Sequence, residues 1–252
     1  MTREVKKQLV DALDARSRSG SAVQLWLRDD DAVEPTVALD RLLIMGNRYA
    51  IPMTLAVIPA LSGSALAERL QSADSIDSVT VAVHGWAHQN YAPPGEKKQE
   101  LGLHRPSSET LAELDRGYTE LSLRHERQFV PLLVPPWNRI DPAIISGLPS
   151  IGFKGLSTFG SQSSNAISMM NAHVDVIDWK GSRGGRELHE LMAELVTLIE
   201  STLTPIGILT HHLVHDEKAW QFLEQLFSVT STHKGAEWLS IDKLFPDLLP
   251  NP

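Results

Sequence analysis

The sequence predicts an α/β fold built on a parallel sheet that is closed, or nearly closed, into a barrel. Short apolar runs rich in β-branched residues alternate with longer stretches of helical spacing, and Gly, Pro, Ser and Asp cluster between them. Strand then helix, repeated, gives parallel neighbours, because a crossover helix returns the chain to run in the same direction. Acidic and imidazole groups also recur where apolar runs end, and in such sheets functional groups collect at the carboxyl ends of strands. A chain of 252 residues can bury a sizeable core, and residues 1–252 are expected to form a single domain.

The elements follow in order. Val5, Leu9 and Leu13 are four apart, as on a short amphipathic helix. A first strand runs from Ala22 to Leu27 and leads into Arg28-Asp29-Asp30-Asp31. Pro35 then opens a helix through about Tyr49, where a missing N–H costs little, and Asp31 or Glu34 is suited to cap it. The second strand, Met53 to Ile58, stops at Pro59, and a Ser-Gly-Ser break precedes a helix over Ala65 to Gln71. The third, Val79 to Val83, runs into His84-Gly85-Trp86-Ala87-His88. A polar loop from Tyr91 to Pro106 leads to a helix over Ser108 to Phe129, a strand Leu132 to Val134 and a helix after Pro142. Later strands are expected at Gly155 to Ser157, Val174 to Ile177 and Pro205 to Leu209, the last entering Thr210-His211-His212. Helices over Arg186 to Thr202 and Asp216 to Ser231 complete the pattern, the second capped by Asp216. No repeat or linker divides the chain.

Composition excludes several chemistries. There is no Cys, so thiolate nucleophiles, disulfides and zinc ribbons are ruled out, and a metal would have to use His, carboxylate, backbone or water ligands. A net charge of −8 without a basic stripe disfavours a nucleic-acid partner. No apolar run approaches the roughly 18 residues of a membrane span, and the first twenty residues have charges without the apolar centre of a signal peptide. A soluble, cytoplasmic protein is the expectation; its oligomeric state is left open.

Each polar cluster has an ordinary structural reading. His84 and His88 can belong to a solvated turn, and consecutive Asp residues are common in turns and caps. However, Gly85 permits a tight backbone that turns both imidazoles to one point, and three adjacent carboxylates repel unless a cation offsets them.

Taken together, Asp30-Asp31, His84 and His88, Val134-Pro135-Pro136-Trp137-Asn138, Asp175-Val176-Ile177-Asp178-Trp179 and Leu209-Thr210-His211 resemble, in order, the motifs of the polysaccharide deacetylase superfamily, the NodB-like (family 4) carbohydrate esterases. The resemblance covers roughly residues 22 to 215. It implies a distorted (β/α) barrel and a metal-dependent hydrolase that removes N-acetyl groups from a carbohydrate. Asp31, His84 and His88 would be metal ligands, Asp30 the general base and His211 the general acid. Two imidazoles and a carboxylate best suit Zn²⁺, with cobalt, iron and manganese as alternatives. Trp137, Asn138, Arg139 and Trp179 are expected to contact substrate, and Trp86 is a further candidate for an apolar wall.

Two registers fit the acidic run. With Asp29-Asp30 as the pair, Asp31 stands where the family has Gly; with Asp30-Asp31, small Ala32 does, which favours the second. His211 is preferred over His212, and His212 and His215 are expected to orient neighbours or face solvent. The chain also departs from the pattern: the Arg that usually pairs with the catalytic Asp is replaced by Val134. Arg139 is its nearest substitute in sequence, with Arg28, Arg105 and Arg183 as other candidates. That departure keeps open a noncatalytic carbohydrate-binding protein, and the scaffold would also suit an allantoinase-like C–N hydrolase working without metal.

Overall fold

Strand and helix alternate along most of the chain in the computed structural model, which describes residues 3–72 and 74–248. Residues 1, 2, 73 and 249–252, including both ends of the unit expected over 1–252, lie outside the described residues. The elements are α1 (Arg3–Arg18), β1 (Val23–Ala32), α2 (Val37–Tyr49), β2 (Met53–Val57), α3 (Ser64–Leu70), β3 (Val79–Val83), α4 (Ser107–Arg124), β4 (Phe129–Leu133), α5 (Pro142–Ile145), α6 (Leu148–Ile151) and β5 (Gly155–Leu156). They continue with β6 (Ser168–Met169), β7 (Val174–Asp175), α7 (Leu188–Ser201), β8 (Ile206–Thr210), α8 (Glu217–Thr230), β9 (Ala236–Trp238) and α9 (Ile241–Leu244). Short 3₁₀ turns occupy Pro59–Leu61, Pro136–Asn138, His212–Val214 and Pro246–Leu248.

All strand pairs are parallel, in the order β6-β5-β4-β3-β2-β1-β8-β7, with β9 pairing the first residues of β1. The sheet curls into a distorted (β/α) barrel, open between the two-residue strands β6 and β7. Successive side chains of a strand point to opposite faces. On β1, Leu25 and Leu27 join the large core beneath the helices, while Trp26 joins a second cluster with Ala56, Ala82, Leu132 and Val134. Ile241, Phe245 and Leu248 of the C-terminal segment pack into that second cluster, filling the barrel interior away from the strands' carboxyl ends. A Cβ on Gly207 of β8 would stand 2.6 Å from the Trp26 indole nitrogen, so the glycine makes room for the ring.

Several expected boundaries move. The largest shift is β1, which continues through the acidic run to Ala32 instead of stopping at Leu27. Asp29 is in register with Leu55 of β2 and Thr210 of β8, so backbone pairing carries the strand through charged residues whose side chains have partners. The next helix begins at Val37, not at Pro35, because the Thr36 hydroxyl accepts the Leu39 N–H at 3.0 Å and caps it in place of Asp31 or Glu34. The helix expected to reach Phe129 ends at Arg124, and β4 begins at Phe129 and includes Pro131, a residue that argues against strand in sequence. Strands β6 and β9 were not expected; both are two or three residues long. Asp216 caps α8 through the Lys218 and Ala219 N–H groups, as anticipated.

Candidate metal and acid–base site

Arg28 and Asp30 are two residues apart on β1 and share the inward face; Asp29 faces the opposite way. A bulge in the β1–β2 register between Asp29 and Ala32 then interrupts the alternation, and Asp31 takes a left-handed backbone with φ 72°. Its carboxylate meets His84 and His88 from the end of β3. Asp31 Oδ1 is 3.0 Å from His84 Nε2 and 3.3 Å from His88 Nε2, and one donor atom from each of the three residues lies within 4.8 Å of the other two.

The turn that aims both imidazoles depends on Gly85 and Glu100. Gly85 has φ 61°, and a Cβ there would sit 2.1 Å from Glu100 Oε2 and 2.6 Å from Pro136. Glu100 accepts the N–H groups of Trp86 at 3.2 Å, Ala87 at 2.8 Å and Gln89 at 3.4 Å, pinning the segment that carries the two histidines. Its burial raises the carboxyl pKa although those N–H groups oppose the shift. Sequence reasoning missed Glu100, which lies within a loop that carries no motif.

Asp30 is buried, and its partner is Arg28. The guanidinium Nε lies 3.0 Å from Oδ1 and Nη2 donates to Oδ2 at 3.1 Å. Arg28 is itself held by Ser157 Oγ at 2.7 Å, the Thr158 carbonyl at 3.0 Å and Asn138 Oδ1 at 2.6 Å. Thus Arg28 is the cation that pairs with Asp30, the Asp next to the triad. Arg139, the nearest substitute in sequence, instead donates to the Lys98 carbonyl at 2.8 Å, and Arg105 pairs with Glu113. Val134 still contributes its carbonyl, which lies 2.9 Å from His84 Nδ1.

His211 Nε2 is 4.0 Å from Asp30 Oδ2, with the Trp179 ring edge-on at 4.7 Å between centroids. Asp175 accepts from the Trp179 indole N–H at 3.0 Å, and burial raises its pKa. Asp30, Asp31, His84, His88 and His211 line one cleft of about 680 Å³, together with Trp137, Asn138, Arg139 and Trp179. Trp86 does not join them; the Arg116 guanidinium lies over its ring. Nor does His212 face solvent: it is buried, and its backbone N–H and ring Nδ1 both engage Asp29.

The cleft also gathers backbone strain. Of the six described non-glycine residues with positive φ, Asp31, His88, Trp137, Asn138 and Arg183 line it. Such conformations cost of order 1–3 kcal/mol each and persist where the surrounding structure fixes them, commonly at functional sites.

The donor set of the triad fits a cation. His84 Nδ1 faces a carbonyl, so it carries the hydrogen, and in a neutral ring Nε2 is left with a lone pair aimed at Asp31. Acceptor facing acceptor requires a proton or a cation between them. Without an ion, burial lowers the His84 pKa but Asp31 and Asp30 outweigh it, so the ring is raised overall. Burial likewise raises Asp31, yet His84, His211 and His88 hold it well below the usual carboxylate range. His88 is lowered by burial and by the charge of His84, which keeps a neutral donor beside the other two.

No protein-family model and no curated protein matches the sequence. Solved structures do match. A protein of Mycobacterium smegmatis assigned to the polysaccharide deacetylases superposes with a TM-score of 0.67 at 13% identity, over 92% of this chain and 95% of its own. A family 4 acetyl xylan esterase from Clostridium thermocellum, in complex with a cobalt ion, gives 0.59 at 14% identity over 88% and 90%. The family 4 carbohydrate esterase from Streptomyces lividans, in complex with acetate, gives 0.56 at 14% over 85% and 90%. The chain has the polysaccharide-deacetylase fold. In that deacetylase fold, Asp31, His84, His88, Asp30 and His211 all lie beyond or at the carboxyl ends of β1, β3 and β8.

Proposed function

We propose that this protein is a metal-dependent hydrolase that removes N-acetyl groups from a carbohydrate, and that the whole chain serves as its catalytic domain. The observation that carries the reading is the convergence of Asp31, His84 and His88 on one point, with Asp30 and His211 beside them. Asp31, His84 and His88 would hold the ion, with Zn²⁺ the best match to one carboxylate and two imidazoles. When bound, a divalent ion polarises an acetamide carbonyl and lowers the pKa of water.

The chain's own groups do the rest. Arg28 fixes both oxygens of the Asp30 carboxylate, leaving it oriented to take a proton from the attacking water. His211 Nε2, at the same wall of the cleft, gives a proton to the departing amine. Trp137 and Trp179 offer apolar surface to a sugar ring or acetyl methyl, Arg139 lines the opening, and Asn138 acts through Arg28. The feature that favoured a noncatalytic protein, Val134, loses its force because Arg28 supplies the missing cation. Among the described residues no helix is long and apolar enough to cross a membrane.

Acetate release from N-acetylated sugars, measured with each of several divalent ions and after chelation, tests the proposal. Release that depends on a stoichiometric ion and is lost in Asp30→Asn supports it. Activity on cyclic amides that survives complete metal removal would instead favour the allantoinase-like reading.

A further inference from the structure

The acids of the cleft are partnered, while among the described residues the cations that line it have no carboxylate partner. Asp30 has Arg28, Asp31 has two imidazoles, and Asp175 accepts from the Ile177 N–H and the Trp179 indole. Lys98, Arg139 and Arg183 line the same cleft, and among the described residues no carboxylate lies within 4.0 Å of their charged groups. Elsewhere, Arg41, Arg48, Arg69, Arg105 and Arg116 each pair with a carboxylate, as expected in a chain with 31 acidic and 23 basic residues. Other surface cations, among them Lys6, Lys97, Lys180, Lys234 and Lys243, also lack a carboxylate partner among the described residues, so what distinguishes Lys98, Arg139 and Arg183 is that all three line one cleft.

Their placement is specific. Arg139 donates to the Lys98 carbonyl at 2.8 Å, tying the two loops together. The Lys98 ammonium is 5.9 Å from the Trp137 ring centre, and the Arg183 guanidinium is 6.0 Å from that of Trp179. Arg183 holds this place with a left-handed backbone, φ 59°. Each tryptophan of the cleft thus has a cation over its ring at about 6 Å, within reach of an anionic substituent on a sugar that contacts the same aromatic residues.

We propose that Lys98, Arg139 and Arg183 form an anion subsite, so that the preferred ligand is an N-acetylated sugar bearing a phosphate or a carboxylate. The acetamide half of this statement rests on the hydrolase reading above; the anion half rests on the placement of charge. Calorimetric binding of N-acetylglucosamine, a phosphorylated N-acetylglucosamine and N-acetylmuramic acid to the Zn²⁺-loaded protein provides the test, with acetate release followed in the same samples. An anionic sugar is expected to bind roughly tenfold tighter than the neutral one, with the preference reduced at about 0.5 M salt. The phosphate and carboxylate arms identify which anion is read. In Lys98→Gln/Arg183→Gln, with thermal unfolding unchanged, the anionic-to-neutral affinity ratio falls toward one. Equal affinities in the wild type, or a ratio unmoved in the double variant, overturn the subsite. Anion preference without acetate release under any divalent ion keeps the subsite and refutes the hydrolase reading; acetate release without anion preference does the reverse.

Discussion

Two carboxylate–imidazole groupings grow from the same strand end and face opposite ways. Asp31 looks into the cleft, where its side chain and that of His88 remain about a quarter exposed and three donor atoms converge. Asp29, two residues earlier, points to the helix side, where it is wholly buried and occupied by the backbone N–H and ring of His212. Behind it His215 meets the Thr210 hydroxyl and packs against Trp220. The residue types are the same, but only one grouping has donors directed at an accessible point. The other ties the turn carrying His211 to β1, so it fixes the position of His211 and offers no place for a ligand.

Removing the convergent set should have the largest effect. In Asp31→Asn or His84→Gln the protein should lose its bound ion, and acetate release should fall by roughly 10³-fold or more, which elemental analysis and kinetics on the same preparation would check. A variant that keeps the ion would show that these residues are not the ligands. Next comes Arg28→Met, which strands Asp30 in the interior. Loss of one partner of a buried pair costs about 3–5 kcal/mol, so denaturant unfolding should shift by that order. Arg28→Lys, which keeps a charge but not the two-point grip, should recover part of the stability and less of the activity.

The buried grouping predicts a pH signature. Burial pushes His215 down to about 4, and His125, remote from the cleft, is pushed to about 4 for the same reason. Both rings are therefore neutral in the folded protein at pH values where the unfolded chain is already binding protons. Their contribution is present above about pH 6.5 and lost as pH falls toward 4, up to about 3 kcal/mol for each. His212 has the opposite sign: burial lowers it but Asp29 outweighs that, so its contribution is present at lower pH and fades as pH rises through its elevated value. Denaturant melts of His125→Gln and His215→Gln against pH should show a flatter acid limb in each; an unchanged limb would sink this account. The smallest effect is expected for His212→Gln, about 1–3 kcal/mol of stability from the Asp29 oxygen that loses its ring partner, since the backbone N–H of residue 212 still holds the other oxygen. Its activity should fall through displacement of His211 while metal content stays constant, separating the anchoring group from the ion-binding one.

Much of the site was legible because local spacing encodes it. His84 and His88 flank a turn that only Gly85 permits, and Asp30 and Asp31 follow an apolar run. Arg28 was within reach: on a strand, residues two apart share a face, so Arg28 and Asp30 had to be neighbours once the acidic run was placed in the strand. Ending the strand at Leu27 hid that relation. Glu100 was not legible, since its carboxylate binds backbone N–H groups across a loop and leaves no pattern in the residue types.

By itself the sequence determined the alternation of strands and helices, the parallel sheet, and the polar groups at its carboxyl end, because hydrophobic period and turn chemistry are local properties. The tertiary structure decided which Asp serves which face, that Arg28 pairs with Asp30, and that His212 is an anchor. Those assignments depend on a bulge, a register and contacts across more than a hundred residues, none of which the order of residue types can specify.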